Sequence, residues 1–271
     1  MFHALRLGGL LLLFAFVSAA GAQSFRYPAD LDIRWEEVST RPWGEFSIVS
    51  ERPMGEDVDY LPWNAKSRTS VYDPSGNVRM TIDTGNVALI DFTGDGQEEM
   101  VVSGNSGGVS GCCDFLDVYV AQGSQLTSIG SLNGDGRNVR LQVTQLDDEP
   151  GREVVDGLTL GVSGIPYCCH PVLKQVWDWN GTSLVNATSQ LGAEMIQQDR
   201  QRFRTDLENM GVLTVDDLDV LSATIGYVGA SLYLGLDEYR AALSWFDENA
   251  PTPLQVWLND QLYELKGIVA R

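Results

Sequence analysis

Residues Asp91–Val101 (DFTGDGQEEMV) and Gln145–Val155 (QLDDEPGREVV) align without a gap at an offset of 54. The match continues beyond them. Each segment is followed by Gly-Val-Ser-Gly, at 108–111 and 161–164, then by a cysteine pair, then by an aromatic run and a turn, VYVAQGSQL at 118–126 and VWDWNGTSL at 176–184. Self-similarity over such a length means that one supersecondary unit occurs twice, because a unit of this size cannot bury its apolar face alone and gains a core by stacking on its copy. The two units run over about 81–130 and 131–188.

Within each unit, short runs of β-branched and aromatic residues are bounded by Gly, Asn and Asp, which predicts strands. Asn180-Gly181 between WDW and TSL suits a hairpin turn with positive φ at both central residues. Asp73-Pro74-Ser75-Gly76-Asn77 marks a similar turn between Thr69–Tyr72 and Val78–Ile82, so strands extend back into 25–80. Blade-sized units of this kind number about three before the chain changes character, fewer than a closed propeller requires.

From about Leu191 the period becomes helical. One amphipathic segment reaches Met210 and is expected to stop at Gly211 as a glycine cap. Thr214 with Asp217 resembles a capping box opening a helix that runs to Gly235; 236–248 form another, and Thr252-Pro253 start the last. The stretch from Val220 to Leu236, without any charge but rich in Ser, Thr, Tyr and Gly, reads as a buried helix rather than a membrane span. The predicted fold is α+β, a mainly antiparallel β-repeat region over 23–188 followed by a helical segment over 189–271.

The first copy of the repeat carries chemistry. Asp91, Thr93, Asp95, Gln97 and Glu99 place oxygen-bearing groups at alternate positions of a glycine-rich loop, which suits a hard cation, calcium above all. DFTGDGQEEMVV resembles the calcium loop of FG-GAP and VCBS-type repeats, found in integrin-like β-propellers and in many secreted bacterial proteins. That resemblance implies side-chain ligands from Asp91, Thr93, Asp95 and Glu99 and a carbonyl ligand from Gln97. Thr93 stands where Asn or Asp is usual in such loops, and Glu99 where Asp is usual. The second copy has Gln145 at the first position and Pro150 in place of a glycine, so it is expected to keep the turn and lose the metal.

Residues 1–22 combine Arg6, an apolar run from Leu10 to Val17 and a small-residue ending at Ala20-Gly21-Ala22, the pattern of a secretory signal peptide. The expected location is secreted or periplasmic, with no membrane span in the mature chain. Cys112, Cys113, Cys168 and Cys169 then predict disulfides, with three connectivities possible. Bridges between neighbours would be strained, since their Cα atoms are only about 3.8 Å apart. Cross-pairing is favoured, and both cross-bridges require at least one pair to sit in a turn.

A net charge of −19 disfavours nucleic acid as a partner. Outside residues 1–22 there is a single histidine, His170, and no nucleophile elbow accompanies it. Asn180-Gly-Thr and Asn186-Ala-Thr are glycosylation sequons. Together these features predict an exported non-enzymatic protein whose calcium-stabilised, disulfide-bonded scaffold recognises a protein or a glycan. The alternatives are an envelope carbohydrate-active enzyme using paired carboxylates, and a soft-metal site at the cysteine pairs beside His170.

Overall fold

The computed structural model describes residues 33–56, 58–60, 67–83, 85–105, 114–134 and 141–270. Strands β1 (Arg34–Trp43), β2 (Phe46–Met54), β3 (Arg68–Tyr72) and β4 (Val78–Ile82) form one antiparallel sheet. Strands β5 (Asn86–Ile90), β6 (Glu99–Asn105), β7 (Asp114–Gln122) and β8 (Gln125–Asn133) form a second. The third contains β9 (Gln142–Thr144), β10 (Glu153–Thr159), β11 (Val172–Trp179) and β12 (Leu184–Asn186). In all three, each strand pairs with its neighbour in sequence, the meander of a propeller blade. The two repeat units correspond to the second and third sheets, and the first sheet has the same topology without the loop signature.

Turn chemistry sets the strand ends. The Asp73 carboxylate accepts the backbone N–H groups of Ser75 and Asn77, each at 2.9 Å, and Gly76 takes φ +80° to close the β3–β4 connection. In the β11–β12 hairpin, the Asn180 side-chain oxygen accepts from the N–H groups of Thr182 and Ser183 at 3.0 Å.

Strand β6 is apolar on both faces, and the reason lies in the stacking. Met100 and Val102 join Trp43, Phe46, Ile48, Val71 and Ile82 in a cluster between the first and second sheets. Val101 on the opposite face joins Val118, Leu116 and Val154 between the second and third. The middle sheet is thus buried from both sides, as the uninterrupted Met-Val-Val run requires.

The third sheet is covered by helices. After a single turn, α1 (Thr188–Leu191), come α2 (Ala193–Asn209), α3 (Leu218–Leu234), α4 (Leu236–Asn249) and α5 (Thr252–Val269). Helix α3 is buried along most of its length, from Val220 to Ser231, packing against α2, α4, α5 and β11. Each fully buried large apolar side chain here contributes about 1.5–3 kcal/mol. Gly226 makes the α2–α3 contact possible: any Cβ there would lie 2.6 Å from the Phe203 ring. Among the described residues no helix is long and apolar enough to cross a membrane.

Two helix boundaries differ from the sequence reading. Helix α2 ends at Asn209 with Met210 in an extended conformation, and Gly211 does not take positive φ. Helix α3 is capped by Asp217, whose carboxylate accepts the Asp219 N–H at 2.9 Å, rather than by Thr214. Asp217 is the closer acceptor to the first helical N–H groups, and Thr214 is used one turn earlier, where its hydroxyl accepts from the Asp216 N–H. Gly235, with φ +126°, terminates α3 as expected.

Candidate functional site

The Asp91–Glu99 loop connects β5 to β6, and its carboxylates are turned onto its own backbone. Asp91 accepts from the Gly94 N–H at 2.8 Å through one oxygen and from the Gly96 N–H at 3.1 Å through the other. One oxygen of Asp95 accepts from the Gln97 N–H at 2.8 Å. Gly94 and Gly96 take φ +77° and +86°, conformations that side-chain-bearing residues rarely adopt.

Glu99 is the exception among the acids, because it is only 2% exposed. A single oxygen, Oε2, receives the N–H groups of Phe92 at 2.7 Å and Thr93 at 3.0 Å, and Thr93 Oγ1 stands 3.4 Å from Oε1. Burial raises the Glu99 pKa above the usual carboxylate range; the two N–H donors work against this, and the charges of Asp95 and Asp91 add to it. Among the described residues no three His, Cys, Asp or Glu side chains gather closely enough to hold an ion. Asp91, Thr93, Asp95, Gln97 and Glu99 therefore share one loop, with their oxygens directed largely at amides rather than at a common centre.

The second loop, Gln145–Glu153 between β9 and β10, shows what replaces them. Glu153, 3% exposed, accepts the Leu146 N–H at 2.6 Å, the same stapling role that Glu99 plays. Gln145 accepts at 2.9 Å from the Arg152 guanidinium, which also donates to the Gly151 carbonyl. This loop is braced by a cation of its own. In the first loop the position of Arg152 is taken by Glu98, which points away to pair with Arg41 at 2.9 Å.

The two loops abut. The Arg152 N–H donates to the Phe92 carbonyl at 3.0 Å, and Gly94 lies directly against Pro150 and Gly151. On the other side, the Trp43 indole N–H donates to the Glu98 carbonyl at 2.7 Å, so the end of the β1–β2 hairpin rests on the first loop. The loop is thereby a joint among all three sheets. Sequence reasoning missed both Arg152 and this joint. A usable signal for the stapling role was present: the ninth position stays glutamate in the copy whose first position has lost its acid.

Cys168 is exposed and Cys169 half-buried in a short 3-10 turn, Tyr167–Cys169, between β10 and β11. Cys112, Cys113 and residues 1–22 lie outside the described residues. His170 Nε2 is 2.9 Å from the Ile165 carbonyl oxygen. Of the sequons, Asn180 and Thr182 are exposed, whereas the Thr188 hydroxyl is buried, accepting from the Val176 N–H at 2.9 Å. Comparison with known proteins finds no family model, no curated protein and no solved structure that matches this chain.

Proposed function

We propose that the protein is an exported, non-enzymatic scaffold whose disulfide-bonded β-repeats recognise a protein or glycan, with calcium bound in the Asp91–Glu99 loop as a stabiliser. The observation that carries the calcium reading is the contrast between the twin loops. The second holds an internal guanidinium, Arg152, beside its first position. The first gathers Asp91, Asp95 and Glu99 with no cationic side chain paired to any of them among the described residues. A divalent ion would supply the missing positive charge. Asp95 has a second oxygen without a partner among the described residues, and each Asp91 oxygen keeps a lone pair beyond its single N–H bond, which suits the irregular oxygen shell calcium accepts. Chelation by these residues would need side-chain rotation toward a common point.

The cysteines fit the same setting. Cys168 and Cys169 sit in a turn, which cross-pairing asks of at least one pair, and bridges to Cys112 and Cys113 would link the β10–β11 connection to the segment between β6 and β7. Recognition by loops on a rigid frame is the usual division of labour in repeat proteins, and supports a binding role here.

Thermal unfolding of the mature, oxidised protein in EDTA, in calcium and in magnesium tests the stabilising ion. At about 1 mM calcium with a Kd of about 0.1 mM, occupancy contributes about 1.4 kcal/mol, which raises the Tm by about 3–6 °C. The same melting temperature in all three solutions would remove calcium from this reading.

A further inference from the structure

The chain contains two Asn-Gly pairs, Asn133-Gly134 at the end of β8 and Asn180-Gly181 between β11 and β12. In such a pair the side-chain amide lies next to a backbone nitrogen that no side chain screens. The fold treats the two pairs differently.

At the first pair the nitrogen is engaged. The Gly134 N–H donates to the Asp114 carbonyl at 2.7 Å, and Asn133 lies in extended strand opposite Phe115. A Cβ on Gly134 would stand 3.0 Å from an Asp156 carboxylate oxygen, and a neighbouring negative charge disfavours removing the proton from that nitrogen.

At the second pair the nitrogen is open. Gly181 is exposed, takes φ +93° and would have nothing within 4 Å of a Cβ among the described residues, where its N–H also has no acceptor. The Asn180 side-chain oxygen, by contrast, is surrounded by donors: the N–H groups of Thr182 and Ser183 at 3.0 Å and the Thr182 hydroxyl at 2.9 Å. An amide held by groups two and three residues ahead is folded back over the peptide between, on the side of the Gly181 nitrogen. The same three donors converge on the oxygen that would carry negative charge if the amide carbon were attacked, the arrangement of an oxyanion hole.

We infer that Asn180 is a self-modifying site, at which the turn promotes deamidation by the chain's own backbone. Hydroxide removes the Gly181 N–H proton, the nitrogen bonds to Asn180 Cγ, and the carbonyl electron pair moves onto Oδ1. As that pair returns, the Cγ–Nδ2 bond breaks and Nδ2 leaves as ammonia, its proton supplied by water. Water then opens the cyclic imide at either carbonyl, leaving an aspartate or an isoaspartate. Either product adds a negative charge to the β11–β12 hairpin and removes the asparagine of the Asn180-Gly-Thr sequon; the isoaspartate also lengthens the main chain by one methylene beside the Trp179–Leu184 strand pair.

The test is peptide mapping by mass spectrometry of the mature protein incubated in mildly alkaline buffer, folded and in urea, with an isoaspartate assay of the same digests. In the folded protein the Asn180 peptide should gain the amide-to-acid mass difference, faster as pH rises, while the Asn133 peptide stays unchanged. In urea the two sites should converge. Thr182→Val, an exposed change that removes one of the three donors, should slow the folded-state reaction by about fivefold, the rate equivalent of one ordinary hydrogen bond. Asn180 that stays intact in the folded protein while converting in urea would overturn the inference, since the turn would then restrain the amide. Equal conversion of Asn133 and Asn180 in the folded protein, or an unchanged rate in Thr182→Val, would overturn the role given to the turn.

Discussion

Replacing Gly94 with alanine should destabilise the fold far more than the same change two residues later, and the difference measures the joint between the repeats. Both glycines have positive φ, +77° at Gly94 and +86° at Gly96, so alanine meets the same backbone penalty at each. That penalty is about 1–2 kcal/mol, less about 0.5 kcal/mol returned by the stiffer unfolded chain, or about 1 kcal/mol net. The surroundings differ. At Gly96 a new Cβ meets nothing within 4 Å among the described residues. At Gly94 it would lie 2.8 Å from the Gly151 nitrogen and closer still to the Pro150 carbonyl, both of them backbone that cannot swing aside. Overpacking of this kind costs about 1–3 kcal/mol more, so Gly94→Ala should lose about 2–4 kcal/mol in all. Urea unfolding of both variants in EDTA, which keeps ion binding out of the comparison, gives the two values directly. Equal losses, to within about 0.5 kcal/mol, would refute the packing of one loop against the other.

Two acids make predictions of opposite sign in pH. Burial holds the Glu99 pKa above its unfolded value, so stability is greatest with the group protonated and falls as pH rises from the unfolded carboxyl pKa toward the raised folded one. Glu99→Gln should abolish that decline and be at least as stable as the parent at pH 7 in EDTA, because one amide oxygen can take both the Phe92 and Thr93 N–H groups, yet it should lose any calcium-induced rise in Tm. A clear drop in stability at pH 7 would show the charge itself to be needed. Asp73 behaves the other way: the Asn77 backbone N–H foremost, with the Asn77 side chain, Ser75 and Arg79, holds its pKa below the usual value against the opposing effect of burial. Its contribution is therefore complete above the unfolded pKa and is lost as pH falls through the folded one, and Asp73→Asn should flatten the acid limb of a stability-versus-pH curve.

Much of the architecture was legible because its signals are local. The offset repeat located the second and third sheets, the Asp73–Asn77 and Asn180-Gly181 turns located hairpins, and the uncharged run beyond Val220 located the buried helix. Caps were less legible, since Thr214 and Asp217 are both competent acceptors and only the path of the chain decides which faces the helix. The turn between β5 and β6 was legible from Gly94 and Gly96, which both take positive φ. What escaped was the contact between the two loops, which joins residues more than fifty positions apart and leaves no periodic trace. The stapling role of Glu99 was obscured for a related reason: a carboxylate that accepts amides and one that ligates an ion look identical as a letter in a sequence.

Among the described residues every strand pairs only with the strand before or after it, and apolar clusters join the first sheet to the second and the second to the third. Assembly of such a chain needs no long-range search. A polypeptide emerging N-terminus first can finish one sheet while the next is still being delivered, and each finished face offers the template on which its successor condenses. Helix α3, apolar nearly all round, emerges when the third sheet and α2 are already in place to receive it, with α4 and α5 following directly to cover its other sides. The order of segments along the chain is thus also an order of protection, in which the most water-averse element is flanked by partners delivered just before and just after it.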